Sequence, residues 1–440
     1  MAVSSGLARL AQVPELRRRV LFSLGILALY RLGVFITVPG VDRSAMQTVV
    51  SQQGGLLGMF DLFAGGALAQ LSIFALGISP YITAGITLQL LGLVSKRVEE
   101  LRKDGAAGRR KLEQWTRAAT LALAAVQAYA LSGWVEGLNA EVGGGFTDVV
   151  SEPGWRFRLL TVVTLTAGSA LVMWLGEQAT ERGIGNGTSL ILFSSIVSGI
   201  PAGLDSYFAA SGGQVQPLAL LVLLAFALGC VALVVLFERA QRRIPIVYAR
   251  RQQGRRQAGE QRTHLPLKVN LASMMPLILA STLLTSPQLL SGTVPLLGTL
   301  SQVLGRGDWV FQTLFAALTV FFAFVYTSAT FQPVEVADQL KKQHANVPGL
   351  RPGRQTALYL DGVVSRLTVG GALYLAALCV VPTLVGQALR LPFQLSGSSL
   401  MIVVSVALET ASQIEAHLVT HSYQGLAVPR AGRLTARRAA

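Results

Sequence analysis

Apolar residues in this chain follow neither the two-residue alternation of a strand nor the stripe of an amphipathic helix. They come in long blocks separated by short polar or basic stretches. A helix needs about 20 mainly apolar residues to cross a hydrocarbon layer of roughly 30 Å. Such blocks recur along the chain and predict crossing helices over 20–38, 72–95, 118–137, 158–177, 188–205, 217–238, 270–291, 309–331, 362–382 and 398–415. Residues 54–71, GGLLGMFDLFAGGALAQL, fit no such block: they are apolar but short, carry Asp61 and are broken by glycine. Backbone that enters a membrane without spanning it is tolerated only where protein or a cavity surrounds it. The stretch is therefore either a re-entrant segment occupying a pore or an amphipathic helix on the outer surface.

Composition agrees with lipid as the main solvent: 52% of residues are apolar and 13% charged, too few to coat soluble domains of 440 residues. The net charge of +15 would suit a nucleic-acid binder, so its distribution decides. With a cytoplasmic N-terminus, 31 of the 37 Lys and Arg fall on the cytoplasmic side. Arg43, Arg156, Arg158, Arg306 and Arg390 lie opposite, and Arg31 lies inside the first span. That asymmetry follows the positive-inside rule and predicts both termini in the cytoplasm. The first apolar run has no small-residue cleavage site after it and reads as a retained anchor. Arg31 either faces the bundle interior or snorkels to an interface.

The division predicted is a cytoplasmic segment 1–19, an N-terminal half 20–205, a C-terminal half 206–415 and a basic tail 416–440. Five spans per half permit an inverted repeat with its site at the interface, although no sequence repeat is visible. The cytoplasmic loops 239–268 and 332–361 are long and mix Arg with Pro, Tyr and Gly. They are either solvated, topology-setting charge runs or docking surfaces for an acidic or RNA-bearing partner, to which Arg offers planar, multidentate donors.

Enzyme signatures are missing from the sequence: there is no GxxxxGK[ST] and no HExxH. His417 and His421 share a helix face but have no carboxylate beside them, so no metal or cofactor is expected. Cys230 and Cys379 fall inside apolar spans and read as small hydrophobes. A proton- or ion-coupled transporter needs a series of intramembrane ionisable residues, and the spans lack one. This weakens the alternative of a secondary transporter of small solutes; a membrane-embedded enzyme lacks its nucleophile and base.

Six runs then carry a resemblance: SIFALGISPYITAGI from Ser72, GEQATERGIGNGTSL from Gly176, ERAQRRIPIVYARRQQGRR from Glu238, THLPLKVN from Thr263, VPGLRPG from Val347 and SRLTVGGALYL from Ser365. In this order, with ten spans, the chain resembles the SecY family, the central channel subunits of the Sec protein translocon. The resemblance implies an all-α polytopic fold of ten transmembrane helices in two inverted, pseudo-symmetric halves, opening sideways to lipid between spans two and seven. It makes 54–71 a plug, centred on Phe60, Asp61, Leu62, Phe63, Ala64, Gly65 and Gly66. It places a pore ring at Ile82, Ile86, Thr188, Leu192, Ile278 and Ile402, and polar lateral-gate residues at Gln127 and Asn270. It gives Arg243, Arg255, Arg256 and Arg351 a role in docking the SecA motor or the ribosome.

Further partners implied are SecE and SecG subunits, secretory and membrane-protein nascent chains with signal sequences, and the lipid bilayer of the plasma membrane. Three departures from the family pattern stand out: Thr188 where Ile is common, Ser79 where Met is common and Arg354 where Glu is common. The first puts a hydroxyl in the expected ring. Aliphatic side chains cannot replace an ion's hydration shell, so a narrow ring of them sheds water while gripping no particular peptide.

Overall fold

The computed structural model describes residues 13–53, 61, 64–141, 149–210, 217–248, 252–253, 256–257, 262–290, 308–388 and 397–427. Among these, ten apolar helices stand where the hydropathy places them: α1 (Pro14–Val34), α3 (Ser79–Val94), α5 (Gly105–Glu141), α6 (Trp155–Arg182), α7 (Gly187–Ala210), α8 (Pro217–Arg239), α9 (Met275–Leu290), α10 (Asp308–Thr330), α12 (Arg354–Ala388) and α13 (Gly397–Ala427). Three short helices join them: α2 (Arg43–Gln53), α4 (Lys96–Lys103) and α11 (Pro333–Lys342). Five of the ten are long and apolar enough over their described residues to cross a membrane by themselves. Large apolar side chains such as Leu221, Leu224, Leu228, Phe321 and Leu373 project outward, as a lipid-facing surface requires.

The second span corrects the sequence reading. Predicted from residue 72, its helix begins at Ser79, and 73–78 form turns. Two local features delay it. Gly77 takes φ +56, and Pro80 sits in the first helical turn, where its missing N–H costs nothing. Upstream, Val38 N–H donates to Leu71 O (2.9 Å) and Ile73 N–H to Ile36 O (2.9 Å), so this segment is zipped onto the exit of α1. The zip leaves no slack: a Cβ on Gly33 of α1 would overlap the Phe74 ring, and one on Gly168 of α6 would overlap the Ile73 carbonyl oxygen. Small residues permit this approach of backbone to backbone.

Helices α1, α3, α5, α6 and α7 form one group and α8, α9, α10, α12 and α13 another. They meet along two seams: α3 and α5 against α9 and α10, and α7 against α13. Each seam has a polar tie at the end nearer the 239–268 loop. Arg102 of α4 reaches Ala329 O (3.5 Å) at the end of α10, and the Gly185 N–H donates to Gln413 Oε1 (3.0 Å) of α13. Helices α5 and α6 are joined at both ends by ion pairs, Arg117 Nε to Glu177 (2.9 Å) and Arg158 Nη2 to Glu136 (2.6 Å). Beyond the C-terminal end of α1, Asp42 caps α2. The Ser44 hydroxyl (2.6 Å), with the Ser44 and Ala45 amides, holds its carboxyl below the usual carboxylate range.

The two long basic loops are joined as one unit. Strand β1 (Gln241–Tyr248) pairs antiparallel with β4 (Arg262–Lys268) and also with β5 (Ala345–Asn346) from the second loop; β2 (Gln252–Gln253) and β3 (Arg256–Gln257) pair at the hairpin end. Alternation along β1 buries Ile244 and Ile246 and exposes Arg243. Ile244 packs with Leu267, Val347, Leu360 and Val364, and Ile246 with Leu340 and Ala345. The apolar face of the hairpin therefore sits on α11, α12 and the second loop, while Arg242 and Arg243 face out.

Candidate functional site: a central apolar constriction

Both seams enclose one contiguous apolar cluster that draws on both helix groups. Leu192, Ile278 and Ile402 belong to it, exposed to only 4%, 6% and 0%, and the half-buried Ile82 packs against it. Ala64 and Ala67 from the segment preceding α3 belong to the same cluster. Side chains from α3, α7, α9 and α13 thus share one apolar cluster with that segment.

Two of the expected ring residues stand apart. Ile86 is buried but lies outside this cluster. Thr188 turns its hydroxyl back to Asn186 Oδ1 (2.7 Å), which also accepts the Thr188 N–H (3.1 Å) in an N-capping arrangement at the start of α7. A Cβ on Gly176 of α6 would stand 3.2 Å from the Thr188 methyl. The hydroxyl expected to moisten the ring is thus bonded to the residue that caps α7.

Of the expected plug residues, Phe60, Leu62 and Phe63 lie outside the described residues. Asp61 Oδ1 accepts the Ala69 N–H (2.8 Å), and Asp61 O accepts the Gly66 N–H (2.9 Å), closing the intervening turn. Gly65 and Gly66 take φ +70 and +81, conformations that favour glycine. Gly65 also lies so close to Ser195 of α7 that a Cβ would come within 2.9 Å of its Cα. Arg31, undecided from sequence, donates from Nη1 to Gly65 O (2.6 Å), and the Tyr30 hydroxyl donates to Ala64 O (3.2 Å). Sequence reasoning missed Tyr30 and Ser195, whose partners lie 34 and 165 residues from Tyr30.

The two gate candidates differ in setting. Gln127 lies on α5, which packs against α9 across the first seam, with its Oε1 buried and unpartnered. Asn270 precedes α9 and is buried at the base of the β1–β4 hairpin. There Nδ2 donates to Glu238 Oε1 (2.8 Å) and Ser273 O (3.3 Å). Asn270→Ala leaves the half-buried Glu238 carboxylate without its amide donor, a loss of about 1–3 kcal/mol. The variant is expected to unfold at a lower temperature in detergent, and adding Glu238→Gln should recover part of the loss, because the two groups interact.

Among the docking candidates, Arg243 and Arg351 are exposed on the unit that the two long loops form. Arg255 and the side chain of Arg256 lie outside the described residues, although the Arg256 backbone pairs with Gln253.

Comparison with known proteins supplies a frame for this geometry. A family model described as SecY matches residues 72–411. The chain is 44% identical over 418 residues to the protein translocase subunit SecY of Haemophilus influenzae, covering 93% of each chain. It is 42% identical to that of Escherichia coli K12 over the same length and coverage. Among solved structures it resembles one described as a protein-conducting channel, with a TM-score of 0.64 at 16% identity over 94% of this chain and 95% of that one. It also resembles Sec61 in a canine ribosome-channel complex from the endoplasmic reticulum, with a TM-score of 0.61 at 16% identity over 94% and 95%.

Proposed function

The chain belongs to the SecY family of multi-pass membrane proteins, and from that premise we infer that it is a protein-conducting channel with ten transmembrane helices, not an enzyme. The observation that carries the reading is the convergence of Ile82, Leu192, Ile278 and Ile402 from four helices on one apolar cluster between the two groups. Such a constriction excludes hydrated ions at rest and offers a passing chain no group that would bind it tightly. The small-solute transporter alternative gains nothing from the family or the site.

In this proposal the substrate is an unfolded secretory polypeptide, crossing a plasma membrane with both of the channel's termini in the cytoplasm. The N-terminal half 20–205 and the C-terminal half 206–415 are the two sides of the channel. Ile82, Leu192, Ile278 and Ile402 line the waist, Ile86 flanks it one helical turn further along α3, and Thr188 lies at its cytoplasmic edge. Residues 54–71 plug the outer side.

The seam of α3 and α5 against α9 and α10 is the lateral exit, which segments apolar enough to prefer lipid take. Gln127 lies within that seam and Asn270 at its cytoplasmic end. A polar seam keeps some hydrogen bonds when shut yet opens more cheaply than an aliphatic one. The driving energy is external. A SecA motor or a ribosome docks on Arg243, Arg255, Arg256 and Arg351, whose guanidinium groups suit carboxylate and phosphate. SecE and SecG are its membrane partners.

Site-specific crosslinking of a stalled secretory chain tests the reading. Photo-reactive groups at 82, 192, 278 and 402 are expected to capture the chain, and groups on the outward-facing Leu221 and Leu373 are not. Equal capture at both sets, or none at the first, overturns it.

A further inference from the structure

The proposed waist and plug leave unexplained a polar cluster at the outer end of α1. Tyr30 is fully buried, its ring stacked on Phe74 with centroids 5.5 Å apart. Its hydroxyl lies 2.9 Å from Ser195 Oγ and 3.2 Å from Ala64 O, while Ser195 Oγ lies 3.0 Å from Ile191 O within its own helix. Beside it, Arg31 Nη1 bonds Gly65 O at 2.6 Å. Two consecutive carbonyls of the 64–66 turn, those of Ala64 and Gly65, are therefore held by two consecutive residues of α1, and Gly65 itself lies against Ser195.

Proton counting shows what such an arrangement can do. Tyr30 and Ser195 own one hydroxyl proton each, and three acceptors compete for them: the Ala64 carbonyl, the Ile191 carbonyl and the partner hydroxyl. With the turn in place, Tyr30 donates to Ala64 O, and the Ser195 proton goes to Ile191 O or to Tyr30. With the turn withdrawn, the Tyr30 hydroxyl rotates to donate to Ser195, and Ser195 donates to Ile191 O. Neither arrangement leaves a buried hydroxyl proton unpaired, which would otherwise be costly. Arg31, at the helix end, loses only a carbonyl that water can replace once the pore is wet.

We propose that Tyr30 and Arg31 of α1, with Ser195 of α7, form a reversible clamp on the 64–66 turn that sets how readily the plug leaves the pore. The clamp rests on reading 54–71 as a plug. Its hinge lies just beyond, where residues 71–73 remain zipped to 36–38. The three are positioning residues and touch no translocating chain in the closed state.

The roles of the two hydroxyls are unequal, and that inequality is the test. The full-length chain, purified with its accompanying membrane subunits and reconstituted in vesicles, is followed by hydrogen exchange of the amides of 64–72. In the unsubstituted channel, a trapped secretory chain should raise exchange there; failure to do so sinks the plug reading itself. Without a trapped chain, Tyr30→Phe removes the donor to Ala64 O and should speed exchange roughly three- to tenfold.

Arg31→Gln should act in the same direction, and Arg31→Lys, which keeps a charged donor, should restore most of the protection. Ser195→Ala should leave exchange unchanged or slower, because the Tyr30 proton then has Ala64 O as its sole acceptor. A purely packing role predicts the opposite, since Ser195→Ala opens space beside Gly65 whereas Tyr30→Phe keeps the stacked ring. If the trapped chain releases the turn but Tyr30→Phe does not loosen it, or Ser195→Ala loosens it as much, the clamp is overturned and the plug stands.

Discussion

Ile278→Asp is expected to turn the resting channel into an ion leak. Ile278 is 6% exposed in the cluster where both helix groups meet, and that cluster is apolar. A carboxylate in that position cannot remain dry, because an unpaired charge in low dielectric costs several kcal/mol even after relaxation. Water enters to solvate it, and a hydrated waist conducts. Ion flux through vesicles containing the idle channel should rise about tenfold or more. Ile278→Leu keeps volume and polarity and costs less than about 1.5 kcal/mol, so it should leave the flux near its original level. Equal flux from the two variants would remove Ile278 from the constriction.

The ten helices were legible because lipid imposes a crude, long-range rule: about 20 consecutive apolar residues leave a mark that survives local irregularity. Where the structure departs from that mark, backbone rather than hydropathy decides. Residues 72–78 are as apolar as the helix after them, but Gly77, Pro80 and the zip to 36–38 keep them from coiling. Hydropathy has no means to see a hydrogen bond to a segment 30 or more residues away, and this is also why Arg31 stayed ambiguous. Its partner is a backbone carbonyl in the segment before α3, supplied only when α1 and that segment are folded together. The ring residues on α3, α7, α9 and α13 came from motif resemblance, since an aliphatic residue facing a pore is indistinguishable in pattern from one facing a neighbouring helix. Thr188 illustrates the limit: its position marked it for the ring, while its hydroxyl bonds Asn186, two residues earlier.

Glycines carry the second large effect, and here too sequence is mute. Gly168 and Gly229 both lie within apolar helices, α6 and α8, yet their surroundings are opposite. A Cβ on Gly229 meets nothing within 4 Å, whereas one on Gly168 overlaps the Ile73 carbonyl and stands 3.5 Å from the Phe74 ring. Gly168→Val therefore requires α6 to move off the 73–74 segment, which cannot retreat because Phe74 already fills the space over Gly33 on the other side. The expected loss is about 3 kcal/mol, at the upper end of what overpacking costs, since the colliding atom is backbone and has no rotamer to escape into. Gly229→Val should cost little, with an open lipid-facing site and only a change in helix propensity. Thermal unfolding of the purified chain compares them directly: Gly168→Val should melt several degrees lower and Gly229→Val close to the parent. The same displacement pulls on the zip that holds residues 71–73 to 36–38, so Gly168→Val should also speed exchange at the Ile73 amide at temperatures below the melt. A variant that melts early but keeps that amide protected would mean that α6 supports the bundle without anchoring the plug.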